Sequence, residues 1–397
     1  MQNTIQKYAW GSKTAIASLL GLPSPSPEPQ AELWMGTHPK APSKVKIGDR
    51  WIPLPDLIAK DPAGILGAAV SNAFNRQLPY LFKVLAAEKP LSIQAHPSQV
   101  QAQEGFKNEE LQGIPLTANH RNYKDPHHKP ECICALTDFW ALNGFRSVHE
   151  IELLLAPVCP EFLLQDLEYL KSHTQHLPLK PFFEKMMTLD NQTRKEAVDF
   201  ALAQAQIHAA ENEAYRWMLS LGAEYPGDIG IFAPIWLNVV CLKPGEAMYL
   251  PAGVLHAYLE GLGIELMANS DNVLRGGLTP KHVDVAELLK VLSFEPTQIH
   301  ILTPDEVRPN EYAYDSYAEE FVLSVIRIDG SSGYRSASTR SIEILLCTDG
   351  KSSVITPTTP EILTLQKGEA IMIPAAIPYY ELDGSAAIYK ASVPLQA

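Results

Sequence analysis

Up to about Arg146 the apolar residues come in short runs, such as Leu78 to Leu85 and Cys132 to Leu136, broken by Pro and Gly. Short apolar runs bounded by turn residues predict strands rather than long helices. The stretch Leu22 to Gln30 alternates Pro with Ser and Glu, which excludes continuous helix and predicts an exposed loop. From about Ser147 to Glu224 the pattern changes. Ile151, Leu154 and Leu155 recur at helical spacing, and Ala197 to Met218 is rich in Ala, Glu and Gln, so this segment reads as a helical insert. After Tyr225 the pattern returns to β, with Ile229 to Pro234, Ile235 to Leu242 and a turn at Lys243-Pro244-Gly245. Val283 to Leu292 predicts one more helix, and a β-rich segment follows from about Pro296.

An internal repeat orders these pieces. Gly245 to Tyr258 reads GEAMYLPAGVLHAY, and Gly368 onward reads GEAIMIPAAIPYYE. Gly368 and Pro374 thus recur at the positions of Gly245 and Pro251, whereas Tyr379 replaces His256 and Ala376 replaces Gly253. Two barrels of one kind are expected, the second without a metal site. The predicted fold is mainly β: two jelly-roll barrels plus an α-helical domain. Its units are 1–146 with 225–295 as a discontinuous catalytic barrel, 147–224 as the insert, and 296–397 as the degenerate barrel.

At 397 residues the chain exceeds one typical core, and 46% hydrophobic with 19% charged residues is the composition of a globular protein. Neither export nor membrane insertion is expected, since Met1 to Gly11 lacks an apolar run and no stretch is long enough to span a bilayer. Five cysteines without CxxC spacing predict buried structural thiols and a cytoplasmic protein. The net charge of -13 argues against nucleic-acid or anionic-membrane partners, so an anionic substrate must find its positive charge locally.

The candidate chemistry is a mononuclear metal site gathered from three places. In LSIQAHPS, a strand places Ser92, Gln94 and His96 on one face. In HHKPECICAL, Glu131 opens the next apolar strand just after His128, Lys129 and Pro130. His256 follows the turn residues Pro251 and Gly253, in a Gly, Pro, Gly and His spacing that resembles the second cupin motif, with Glu260 where that motif usually has Asn, and this resemblance implies that the two jelly-roll barrels are of cupin type. Two imidazoles, one carboxylate and one amide suit a single Zn2+ with an open coordination position. Beyond His256, the run to Asp284 gathers Tyr258, Glu265, Asn269, Ser270, Asp271, Arg275 and Lys281, a density of polar groups that barrel packing does not require.

The string ELMANSDNVLRGGLTPKHVDV closely resembles the signature of the type I mannose-6-phosphate isomerases, as do QKYAWGS, AELWMGTHP, LPYLFKVLAAEKPLSIQAHP and NYKDPHHKPE. The resemblance covers the first two-thirds of the chain. It implies zinc held by Gln94, His96, Glu131 and His256, with Arg275 catalytic, and interconversion of D-mannose 6-phosphate and D-fructose 6-phosphate. His127 stands where the family usually has Asn, and is expected to be solvated while His128 lines the pocket.

Aldose–ketose isomerisation moves a proton between C1 and C2 through an enediol, so it needs a base and stabilisation of the developing oxyanion. Arg275 stays protonated and suits the oxyanion or the substrate; Glu265, Asp271, His128, Lys129 and Lys281 are the candidate acid/base groups. Lys281 and Arg275 are first choice for the phosphate, followed by Lys83 and Lys129, with Tyr258 and Ser92 as further substrate contacts. An alternative for Lys83 is an ion pair with a carboxylate such as Glu88. Trp10, Glu32 and Trp34 are expected in packing and barrel closure. The expected enzyme is a monomer acting on a small sugar phosphate. The rivals are a non-catalytic zinc bicupin that senses sugar phosphates, which predicts binding without product, and a cupin oxygenase, which predicts iron and oxygen consumption.

Overall fold

The computed structural model describes residues 1–172 and 179–395, so residues 173–178 of the expected insert and 396–397 of the last unit lie outside it. Twenty strands are present among the described residues. Ten form the first sheet: β1 (Thr4–Gln6), β2 (Glu32–Gly36), β5 (Tyr80–Ala87), β6 (Ile93–Ala95), β7 (Glu131–Ala135), β8 (Phe139–Phe145), β9 (Leu237–Leu242), β10 (Ala247–Leu250), β11 (His256–Ala268) and β12 (Leu274–Gly277). A hairpin pairs β3 (Lys44–Ile47) with β4 (Arg50–Pro53). Eight strands form the second sheet: β13 (Asp305–Arg308), β14 (Glu311–Ala313), β15 (Val322–Asp329), β16 (Tyr334–Arg335), β17 (Glu343–Ile355), β18 (Leu363–Gln366), β19 (Ala370–Ile373) and β20 (Glu381–Ser392).

The strand pairing closes neither sheet into a hydrogen-bonded ring. The long strand β11 explains why. Its first half pairs with β6 and β8, its second half with β5 and β7, and the change of partners falls at a register shift between Tyr258 and Glu260. Next to it, Gly261 has φ 133°, and a Cβ there would meet the Asp138 carbonyl at 2.7 Å, so only glycine permits the bend. β20 bends in the same way at Gly384, with φ 134°.

Alternation of side chains builds three apolar layers. One face of the first sheet encloses Leu85, Ile133, Phe139, Met248 and Leu250. The opposite face, with Phe82, Val84, Cys132 and Ile264, packs against Leu323, Ile344 and Tyr389 of the second sheet. Ile326, Leu345, Val354 and Ile388 fill the other side of the second sheet.

Between β8 and β9 the described residues form the helices Val148–Leu155, Leu164–Ser172, Leu179–Met187, Asn191–His208 and Glu213–Glu224, among shorter turns. Ser147 starts the first of these with a reciprocal capping box to Glu150, and Asp190 and Asn212 cap the last two. The single stretch expected from Ala197 to Met218 is thus two helices. The apolar run Ile229 to Trp236 is not strand: it forms a 3₁₀ turn and a short helix with Pro234 in its first turn, and β9 begins only at Leu237. The strand-rich first segment also holds a helix, Gln99–Leu111, started by a Ser98–Gln101 capping box. Among the described residues no helix is long and apolar enough to cross a membrane.

Candidate metal centre

Register brings the candidate residues together. His256 at the start of β11 stands opposite Gln94 of β6, and Gln94 on its other side stands opposite Arg275 of β12. Directly opposed residues of antiparallel strands project to the same face, so His256, Gln94 and Arg275 form a row. Asn143 of β8 extends it, opposite His256 from the far side. Its buried Oδ1 bonds to no protein group among the described residues, and nothing in the local sequence marked it.

His96 lies just past β6 and Glu131 at the start of β7, both 1% exposed, while His256 is fully buried. The imidazole centroids are 5.1 Å apart. Glu131 lies between them, with Oε1 3.2 Å from His96 Nε2 and Oε2 3.5 Å from His256 Nε2. Each ring is oriented from behind by a backbone carbonyl: His96 Nδ1 is 2.8 Å from that of Asn272, and His256 Nδ1 is 2.9 Å from that of Val254. With Nδ1–H donating there, each Nε2 turns a lone pair toward Glu131. Among the described residues neither Nε2 has a hydrogen-bond partner, which is costly for a buried ring nitrogen unless a cation is bound. One candidate donor atom from each of the three residues lies within 4.8 Å of the others, so this donor set fits one divalent ion. Burial, and then the Lys129 charge, lower the pKa of His96 to about 4, which keeps it neutral as a metal ligand must be. Burial opposes ionisation of Glu131, yet Lys129, whose Nζ is 2.8 Å from Oε1, holds the carboxyl well below its usual range. Tyr258 donates its hydroxyl to Glu131 Oε2 at 3.3 Å.

Next to these lies a buried ion-pair network. Lys83 Nζ is 2.7 Å from Glu265 and 3.5 Å from Glu32, and Trp34 donates to Glu32 at 2.7 Å. Lys83 therefore pairs with Glu265 and Glu32 rather than with Glu88, whose carboxylate accepts from the Lys13 amide. Glu32, expected to serve packing, is a buried charge in this network. Burial raises the pKa of Glu265 against the pull of Lys83, and the two carboxylates keep Lys83 charged despite its own burial.

Arg275 is half-buried and bonds to no protein group among the described residues, and burial lowers its pKa. Lys281, exposed after β12, is lowered by burial and then by Arg275 and Lys40; Lys124 is also lowered by burial, with Arg121, Lys40 and Arg275 contributing repulsion. Arg275, Lys281, Lys40 and Lys124 thus crowd positive charge together, as an anion site requires. Ser92 is half-buried two residues before Gln94.

Two candidate bases are otherwise engaged. Asp271 is bound by His38 at 3.3 Å and Lys40 at 2.8 Å, which hold its carboxyl far below the ordinary range against the effect of burial. His128 Nε2 lies 2.6 Å from Glu320, which comes from the loop before β15, and His127 is exposed.

The catalytic-domain model of phosphomannose isomerase type I matches residues 1–148. Over 376 residues the chain is 40% identical to mannose-6-phosphate isomerase of Escherichia coli K12, covering 94% of each chain. It is 37% identical over 406 residues to that of Homo sapiens, covering 94% of this chain and 92% of the other. A crystal structure of a zinc-bound mannose 6-phosphate isomerase superposes with a TM-score of 0.90 at 37% identity, covering 99% of this chain and 98% of that one.

Proposed function

The chain belongs to the type I phosphomannose isomerase family, and from that premise we propose that it interconverts D-mannose 6-phosphate and D-fructose 6-phosphate through an enediol, with one zinc ion. The observation that carries the reading is the pair of buried Nε2 atoms beside Glu131 that have no hydrogen-bond partner among the described residues, one of them on His256 in the same strand row as Arg275. His96, Glu131, His256 and Gln94 would hold the metal. Zinc supplies Lewis-acid polarisation of the sugar oxygens without redox chemistry.

The other steps belong to the chain. Arg275 and Lys281 receive anionic oxygen, Arg275 through its planar fork and Lys281 as a compact charge. Arg275 at the sheet face stabilises charge that develops on the enediolate, and its burial strengthens that interaction. For proton transfer between C1 and C2 we favour Lys129 and Glu265. Lys129 lies within reach of the centre through Glu131, and Glu265 has its carboxyl pKa raised by burial. Asp271, paired with two basic side chains, instead shapes the loop that carries the cationic rim. Tyr258 and Lys83 position Glu131 and Glu265, and Ser92 at the head of β6 faces the substrate side.

The two sheets are read as cupin-type jelly rolls, which are double-sheet structures and need no closed ring. Residues 1–146 with 225–295 form the catalytic unit, 147–224 the helical insert and 296–397 the second unit, acting as a monomer in the cytoplasm. Turnover in deuterated water tests the mechanism: a base that exchanges its proton with solvent during the lifetime of the enediol leaves deuterium at the carbon that gains the proton, and complete retention of substrate hydrogen over many turnovers argues for a direct hydride shift.

A further inference from the structure

The internal repeat places a second cleft where the first sheet has its metal centre. Strand β19, Ala370–Ile373, follows β10, Ala247–Leu250, by 123 residues from end to end, and the bends at Gly261 and Gly384 have the same spacing. Tyr379 is therefore the counterpart of His256. β16 pairs with β20, Arg335 opposite Glu381, and the Ser336 amide continues this register by donating to the Tyr380 carbonyl at 2.9 Å. One step further, Ala337 faces Tyr379 as Gln94 faces His256, and Thr339 takes the place of His96. Glu343, opposite Ile373, corresponds to Glu131, opposite Leu250. The second sheet keeps the carboxylate but replaces the amide and both imidazoles.

What stands there is a cationic cleft of about 670 Å³, lined by Arg308, Arg335, Ser336, Ser338, Thr339 and Tyr379 among others, with no carboxylate in its lining. The Arg335 guanidinium is 3.8 Å from the Tyr379 ring centroid, and one of its nitrogens is 3.0 Å from Glu381, so its plane is held in place. Arg308 is only loosely paired, 3.9 Å from Glu311, a carboxylate also bound by Tyr334 and Lys390. The loop between the arginines is pinned at both ends. The Tyr380 amide donates to Ser336 Oγ at 3.0 Å, and Arg340 donates to the Pro374 carbonyl at 2.8 Å. Between these pins Ser338 and Thr339 are exposed, and their hydroxyls bond to no protein group among the described residues.

We propose that this cleft binds an organic phosphate monoester at a site separate from the catalytic one. Two guanidinium groups, each with donors beyond its one carboxylate contact, and two hydroxyls without a partner among the described residues line this one cleft and can donate to a tetrahedral dianion, in a chain whose net charge of -13 otherwise repels anions. The volume exceeds that of phosphate alone and lies in the range of small-molecule sites. The second sheet thus carries arginines beside the position at which the first holds its candidate metal ligands, and the ligand is bound without being turned over.

The test is equilibrium dialysis of the full-length, zinc-loaded protein with radiolabelled inorganic phosphate. In an Arg275→Ala, Lys281→Ala background, which removes both proposed catalytic anion contacts, phosphate stays bound at the second sheet and mannose 6-phosphate displaces it. Adding Arg308→Ser with Arg335→Ser weakens that binding at least tenfold. Ser338→Glu does the same while leaving the Arg335–Tyr379 stack intact, so it decides the matter if the double variant fails to fold. Placed in otherwise wild-type protein, these substitutions leave turnover in phosphate-free buffer within twofold of normal. Phosphate binding that persists in Ser338→Glu overturns the site, and bound phosphate that mannose 6-phosphate does not displace overturns the ligand class. Neither result depends on the catalytic reading, because Arg275 and Lys281 are both absent from the binding measurement.

Discussion

Arg275 and His256 stand on either side of Gln94, each directly opposite it in antiparallel register, so that a guanidinium and an imidazole from strands β12 and β11 share one face. The pairing of β6 with both neighbours fixes this relationship. It separates the proposed metal-holding side of the row from its proposed anion-binding side.

Arg275→Ala should lower kcat/KM by about 10²- to 10³-fold, the usual effect of removing one preorganised oxyanion donor. Zinc content should stay at that of the wild type. Steady-state kinetics with metal analysis checks both, and normal turnover would remove Arg275 from the reaction.

His256→Ala leaves His96 and Glu131 without their third close donor and should cut bound zinc from about one per chain to a small fraction. Metal analysis after dialysis reads this directly. Full occupancy with unchanged affinity would contradict the proposed ligand set.

The Lys83–Glu265 pair is buried on both sides, so removing one partner strands the other charge. Lys83→Met should destabilise the fold by about 3–5 kcal/mol, with much of the loss recovered when Glu265→Leu is added. Chemical denaturation of the three variants gives the coupling. Strictly additive losses would mean that the pair does not act as a unit.

Much of this site was legible in the sequence because its logic is local. The period of two in LSIQAHPS puts Gln94 on one strand face, and the turn residues before His256 set where β11 begins. The Lys83 network was not legible: Glu265 is 182 residues from Lys83 in sequence, and only the pairing of β5 with β11 makes them neighbours, whereas the nearer Glu88 faces elsewhere. The carbonyls of Asn272 and Val254 that orient the imidazoles leave no side-chain signal at all. The helix Gln99–Leu111 lacks an apolar stripe, with only Ala102 and Glu109 buried, so periodicity could not reveal it. The run Ile229 to Trp236 is apolar throughout, and such a run does not distinguish strand from buried helix.

Asp271 predicts an acid-sensitive loop. Its folded pKa lies below the ordinary value of 3.8, so the unfolded chain takes up this proton first as pH falls. The stabilisation from Lys40 and His38 is therefore complete above about pH 5 and lost as pH falls through the folded pKa. Because the Asp271 side chain is 38% exposed, screening reduces the effect of Asp271→Asn at pH 7 to on the order of 1 kcal/mol. Denaturation midpoints of wild type and variant should converge in acid. A difference that does not change with pH would show that the ion pairs contribute nothing.

The most direct measurement is a coupled assay of mannose 6-phosphate conversion to fructose 6-phosphate, run on the protein as purified, after chelation, and after zinc is restored. Activity is predicted to disappear with the metal and to return with zinc at one ion per chain. Folded, zinc-loaded protein that binds mannose 6-phosphate without forming fructose 6-phosphate would contradict the account.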